Sequence, residues 1–304
     1  MWPETAPVRF IIWGHEHYSH THSYIHYGFF KAAKHMGWNV EWHKNTPENA
    51  TNLGNTDGCL FLTESQVDSF MPVNPNAFYV LHNCDMNKYK LIPNKNKLIL
   101  QVFTQDVYPR KTVPVKTNLF EFWQEDANTV YAPWATDLLP SEINENISNL
   151  KVQNNNNAVF VGSYWGGVHG NNKELDRFKE GCQQNNINFK VLSNVEQSQS
   201  IKIIQGAAMA PAIVGTWQKN KGYIPCRIFK NVSYGKLGVT NSKEAYEVIN
   251  KLGVYNPDES QLVKDAIDKN DLELTKKAME FVRDNHTYLN RIDTFQFIFK
   301  LKQQ

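Results

Sequence analysis

The sequence predicts an α/β protein built from two doubly wound domains, and three observations carry that prediction. Short, near-continuous apolar runs alternate with helix-like stretches along both halves of the 304-residue chain. Runs of that kind suit strands of a parallel sheet covered on both faces. A polar segment ending in Asn154-Asn155-Asn156-Asn157 separates the halves as a flexible loop or hinge would. The length also suffices for two domains of ordinary size, each with its own core.

In order, Val8 to Trp13 (VRFIIW) reads as the first strand, Tyr27 to Gly37 as a helix and Val40 to Trp42 as the next strand. That is the crossover unit of a parallel sheet. Further strands are predicted at 59–63, 77–81, 97–103 and 129–131, with 131–140 leading out of the first domain. The second half gives a strand at 158–161, a glycine-rich loop at 162–167, a helix at 173–185 and a strand at 189–192. A helix at 199–208 and a strand at 210–214 follow. After Gly222 to Ser242 come helices at 243–252, 258–267 and 271–283 and an amphipathic stretch from His286 to Leu301. The boundary is placed so that residues 1–137 form one domain and 138–304 the other.

Charge is nearly balanced, with 32 basic against 30 acidic residues, so no field for nucleic acid or a membrane surface is announced. No run approaches the roughly 18 apolar residues of a membrane span, and MWPETAPVRF lacks a signal peptide's apolar core. The four cysteines, Cys59, Cys84, Cys182 and Cys226, form no Cys-x-x-Cys pair and read as free thiols of a cytoplasmic protein. Aromatic residues make up 12% of the chain, which suits stacking surfaces for sugars or bases as well as cores.

Ligands of doubly wound sheets sit outside the carboxyl ends of the strands, so the residues just past each strand are informative. Five of the ten histidines lie between Gly14 and His26. His15, Glu16, His20 and His22 are candidates for a general base. A second reading is a metal site, in which His15 and His17 form a His-x-His pair that His82 and Asp85 complete. In the third, these histidines bond loop backbone or face water. Glu64 and Asp85 end strands in the same way, as a base or hydroxyl-binding carboxylate or as a cap or turn residue, and Asp85 fits the turn role better. His82 belongs to the same strand-end set. In the second half, Gly162, Ser163 and Tyr164 form a loop able to approach a phosphate or sugar, and Trp217 and Tyr223 are candidate stacking platforms or packing aromatics.

Gly222 to Ser242 (GYIPCRIFKNVSYGKLGVTNS) reads as a loop, a two-turn helix and a strand. Its helix begins with free backbone N–H groups and a positive dipole end, and Arg227 in the first turn could grip a diphosphate. Through Arg227, Phe229 and Gly235 the stretch resembles the donor-binding segment of GT-B glycosyltransferases of group 1, CgeB-like type; Lys230 stands where that family has a glutamate. The resemblance implies two facing domains with a cleft between them, the first on the acceptor side and the second holding a nucleotide-diphosphate sugar. It implies sugar transfer to a hydroxyl acceptor, a glycan in the first instance. Gly162, Ser163, Tyr164, Trp217, Tyr223 and Asn241 would cradle the donor, and Arg227 and Lys230 would neutralise the leaving diphosphate. No metal or cofactor is then expected. Two alternatives stay open: a non-catalytic nucleotide- or sugar-binding protein, and a metal-dependent hydrolase built on the histidine loop.

Overall fold

A computed structural model of the chain describes residues 6–16, 21–106, 113–116 and 120–304. Contacts divide the chain into two units: unit 1 is Met1–Val102, Arg110–Ala132 and Tyr288–Gln304, and unit 2 is Phe103–Pro109 and Pro133–Thr287. Apart from the segment Phe103–Pro109, the chain thus passes from unit 1 to unit 2 between residues 132 and 133, and its last 17 residues, grouped by sequence with the second half, belong to unit 1.

Unit 1 holds β1 (Phe10–Trp13), α1 (Thr21–His35), β2 (Val40–His43), α2 (Pro47–Asn52), β3 (Leu60–Glu64), β4 (Phe78–His82), β5 (Lys97–Gln101), β6 (Val113–Lys116), β7 (Glu121–Gln124) and β8 (Thr129–Tyr131). The strand order is β2-β1-β3-β4-β5-β8-β7-β6. The first six positions pair in parallel, and β7 and β6 add an antiparallel meander at the edge. Every residue of β1, β3 and β4 is buried, as a sheet covered on both faces requires. On one face Trp13, Phe61, Tyr79 and Tyr89 form a core in which Phe61 stacks on Tyr79 at 5.0 Å. The other face packs α1 against the last helix of the chain, Tyr288–Leu301. There Phe29 meets Tyr288 at 4.5 Å and Phe295 at 5.9 Å. A buried ion pair fastens the same helix to β7: Arg291 Nη1 lies 2.7 Å from Glu121 Oε1, and Thr294 Oγ1 donates to Glu121 Oε2 at 2.7 Å. The packing on α1 and that pair together tie the helix to unit 1.

Unit 2 holds α3 (Pro140–Ser148), β9 (Asn157–Val161), α4 (Asn172–Gln184), β10 (Asn188–Leu192), α5 (Gln197–Gly206), α6 (Thr216–Asn220), α7 (Cys226–Ser233), β11 (Gly238–Thr240), α8 (Lys243–Val248), β12 (Gly253–Tyr255), α9 (Glu259–Asp268) and α10 (Leu272–Asn285). The helix from Tyr288 to Leu301 is α11. The strand expected at 210–214 is an extended segment that bridges two parallel pairs: Ala158 pairs with Met209 and Ala212 with Thr240. Pro211 has no N–H to donate, which interrupts the ladder there. The order across unit 2 is thus β10, β9, the bridging segment, β11, β12, all parallel. Its core joins Phe160, Phe178, Ile213, Val239 and Leu262.

The α/β class and the strands of the first half stand where the sequence put them, to within two or three residues. The elements α2, α3, β6, β7, α6 and β12 were not foreseen, and α3 occupies part of the stretch read as a flexible loop. Helix α1 starts at Thr21, six residues before the expected start. All four cysteines are free, and among the described residues no helix is long and apolar enough to cross a membrane.

Candidate functional site

The parallel part of each unit reverses strand order at its first strand, β2-β1-β3 in unit 1 and β10-β9-bridge in unit 2. At such switch points the loops after the two central strands diverge and leave a crevice at the carboxyl ends. The predicted residues fall at those two places.

In unit 1 the crevice lies past β1 and β3. Gly14 and His15 both take left-handed backbone conformations, φ +91° and +50°. A side chain on Gly14 would meet Val67 Cγ2 at 2.2 Å, so only glycine fits. The Gly14 carbonyl accepts from Trp42 Nε1 at 2.7 Å and is bonded by His26 Nδ1 at 3.0 Å. This turn directs His15 Nε2 onto Glu64 Oε1, while His22 Nδ1 from the first turn of α1 bonds Glu64 Oε2. His82, at the end of β4, brings Nδ1 to 3.5 Å from Glu64 Oε2. Burial opposes the Glu64 charge, but the hydrogen bonds from His15, His22 and His82 outweigh it and hold the carboxyl below its ordinary range. His26 is sealed beneath them, and burial pushes its imidazole down to about 4.

Of the predicted first-half residues, His15, His22, Glu64 and His82 therefore converge. Glu16 is half-buried in the same turn but outside the cluster. His17 and His20 lie outside the described residues. Asp85 is exposed and serves a turn, accepting from the Asn87 N–H at 3.0 Å. It makes no acceptor-side cluster with Glu64 and His82, which is a correction to its placement among them. Sequence reasoning missed His26 as the support of the Gly14 turn. Its signal was the four-residue spacing from His22, one turn of a helix.

In unit 2, α7 starts after Pro225 with no side-chain cap, and the Ile228 N–H turns back to Pro225 O at 3.1 Å. Gly235 closes the helix: its N–H donates to Val232 O at 2.9 Å and the Lys236 N–H to Asn231 O at 3.0 Å, a Schellman end. Arg227 reaches back from the first turn to the end of β9. Its Nε donates to Val161 O at 3.0 Å and its guanidinium lies over the Phe160 ring at 4.1 Å. Burial lowers its proton affinity, and among the described residues no carboxylate pairs with it. Gly162 makes the room: a Cβ there would sit 2.1 Å from Arg227 Nη2. The two predicted residues, 65 positions apart, are one feature.

The other second-half residues divide. Ser163 and Tyr164 are exposed on the loop after β9, the Tyr164 hydroxyl donating to Asp176 at 3.0 Å. Trp217 is half-buried with its ring edge-on to His169 at 4.4 Å, and Phe103 stands 5.7 Å from Trp217 and 5.8 Å from Tyr223. These rings pack on one another within unit 2. Lys230 sits in the last turn of α7, 6.0 Å from the Tyr234 ring, where a cation suits the helix C-terminus. Asn241 needs correction. It is buried at 1% exposure, with Oδ1 accepting from Val214 N at 2.9 Å and Nδ2 donating to Val214 O at 2.9 Å and Glu259 Oε1 at 2.7 Å. Its polar atoms clamp β11 to the bridging segment and leave none for a ligand.

No family model matches the sequence, and no curated protein matches it. Solved structures do. An α-glucosyltransferase in complex with UDP superposes over 97% of this chain and 100% of its own, with a TM-score of 0.58 at 9% identity. A complex of α-glucosyltransferase with UDP and a 13-mer DNA containing a HMU base covers 97% and 99%, with a TM-score of 0.57 at 9% identity. The fold is that of the GT-B glycosyltransferases.

Proposed function

We propose that this chain is a glycosyltransferase that takes a sugar from a nucleotide-diphosphate donor and hands it to a hydroxyl acceptor. Arg227 carries the reading: a guanidinium held by Val161 and Phe160 at an uncapped helix start, with no acidic partner among the described residues. Such a group is preorganised for two parallel hydrogen bonds to a diphosphate and for its charge as it leaves. Unit 2 is therefore the donor-binding unit. The CgeB-like match of Arg227, Phe229 and Gly235 supports the same assignment, and the UDP of the structural neighbours makes a UDP-sugar the first donor to try.

Unit 1 supplies the base in this reading. Glu64 accepts from two imidazoles and orients them, so His22, the more exposed of the two at 38%, takes the proton of the acceptor hydroxyl while Glu64 steadies the imidazolium. Positioning by a buried carboxylate is what a histidine base needs to stay in one tautomer and orientation. For the acceptor, a glycan is one class and DNA carrying an HMU base, present in a neighbour's complex, is the other. The test is UDP release from a panel of UDP-sugars with each class of acceptor, by wild type and by Arg227→Ala. Turnover lost in the variant supports the assignment; equal turnover in both refutes it.

A further inference from the structure

We propose that His15, His22 and Glu64 form a binding site for a first-row divalent cation of zinc's class. One ligand atom from each residue lies within 4.8 Å of the other two. Two imidazoles and a carboxylate are the donor set that zinc and its neighbours prefer, and three protein ligands leave a further coordination position open to water or a substrate oxygen. Magnesium and calcium, which ask for oxygen donors, are poorly served here.

The site is built rather than accidental. His15 is fixed by the left-handed Gly14-His15 turn, which Trp42 and His26 hold through the Gly14 carbonyl. Glu64 is fixed at the end of a fully buried strand, and His22 by the first turn of α1. Behind them, His82 Nδ1 stands 3.5 Å from Glu64 Oε2, the position of an outer group that orients a ligating carboxylate. Access is provided from His22, whose side chain is 38% exposed, while His15 and Glu64 are 9% and 5% exposed.

The inference does not rest on the sugar-transfer reading, although the two meet at the same atoms. An ion held by His22 and Glu64 replaces the hydrogen bond through which Glu64 orients His22 and steadies its imidazolium, so zinc and base catalysis exclude one another at this site. Zinc would then restrain transfer and a chelator restore it.

The test uses the full chain, stripped with EDTA and titrated with Zn2+ by calorimetry, with Co2+ as a spectroscopic probe. The expected result is one tight site, with Co2+ absorption bands of four- or five-coordinate geometry, undisturbed by millimolar Mg2+. Glu64→Gln and His22→Asn, each checked for a native circular dichroism spectrum, should weaken binding on the order of 100-fold, and His82→Asn roughly 10-fold. His22 lies at a half-exposed position, so its variant keeps the test valid if the Glu64 variant does not fold. Several weak sites, unmoved by either substitution, would overturn the proposal. Turnover is read in a separate assay. A chain that binds zinc but transfers no sugar refutes the transfer reading alone, and one that transfers sugar but binds no zinc refutes this site alone.

Discussion

Replacing Gly162 with alanine is the sharpest probe of the proposed donor pocket, because the added methyl collides first with Arg227 and then with the Phe160 ring on which it rests. The new Cβ would stand 2.1 Å from Arg227 Nη2 and 3.1 Å from Phe160 Cε1. Nη2 is the free end of a flexible side chain, so the guanidinium moves and the backbone of α7 stays. The move breaks the Nε bond to Val161 O and lifts the group off Phe160. A displaced guanidinium forfeits at least one charge-assisted bond to the diphosphate, about 1.5–3 kcal/mol, which is roughly 10- to 150-fold in Kd. The φ of +157° at this residue adds a stability cost of about 1–3 kcal/mol, so the assay pairs UDP calorimetry with a urea melt. Donor affinity should fall in Gly162→Ala, and the double variant should bind no more weakly than Arg227→Ala alone, since both changes act through one group. Unchanged UDP affinity in a folded Gly162→Ala, or two losses that simply add, would refute the pocket.

Three further outcomes follow from the geometry. Arg291→Ala leaves Glu121 charged at 0% exposure and should cost about 3–5 kcal/mol in urea unfolding, much of it recovered when Glu121→Gln is added. His26 takes its proton near pH 4 in the folded chain against 6.5 ordinarily. Between those values the unfolded chain binds more protons, so stability is lost as pH falls from 6.5 towards 4, by roughly 3 kcal/mol. His26→Gln should flatten that limb of a pH series of urea melts, and a slope that persists would mean another group titrates there. Glu64→Gln should lower turnover by about 10²–10⁴-fold with UDP affinity unchanged, measured by steady-state kinetics beside calorimetry; a matching loss of UDP affinity would deny the division of labour.

Most strands of the first sheet were legible because apolar runs such as CLFLT and AFYVL have little other use, and the switch-point rule turned them into a short roll of strand-end residues, part of which the structure brings together. His15, His22, Glu64 and His82 came from that rule, and Gly162 with Arg227 from the loop and helix start. What the sequence hid was pairing across distance. Nothing in the spacing announces that Arg227 lies on Phe160, or that Glu121 in a meander strand waits for Arg291. Asn241 shows the opposite failure: a polar residue at a strand end has the position of a ligand group, and only its three short bonds reveal it as a clamp. The segment at 210–214 misled for a chemical reason, since burial and composition suit a strand while Pro211 cannot complete the ladder. The edge strand β6 carries proline and charge, β7 beside it is only four residues long, and strands with those features leave little periodic trace.

The Arg291–Glu121 pair has a further consequence for how the protein is made. Its partners are 170 residues apart in sequence, and the whole of α3 to α10 lies between them. A chain leaving the ribosome amino end first presents β7 long before its cation exists, so the carboxylate of Glu121 must stay hydrated while unit 2 is synthesised and folds. Unit 1 thus has its sheet early and its lock last, and a nascent chain stalled before α11 would expose the apolar face of α1 to chaperones.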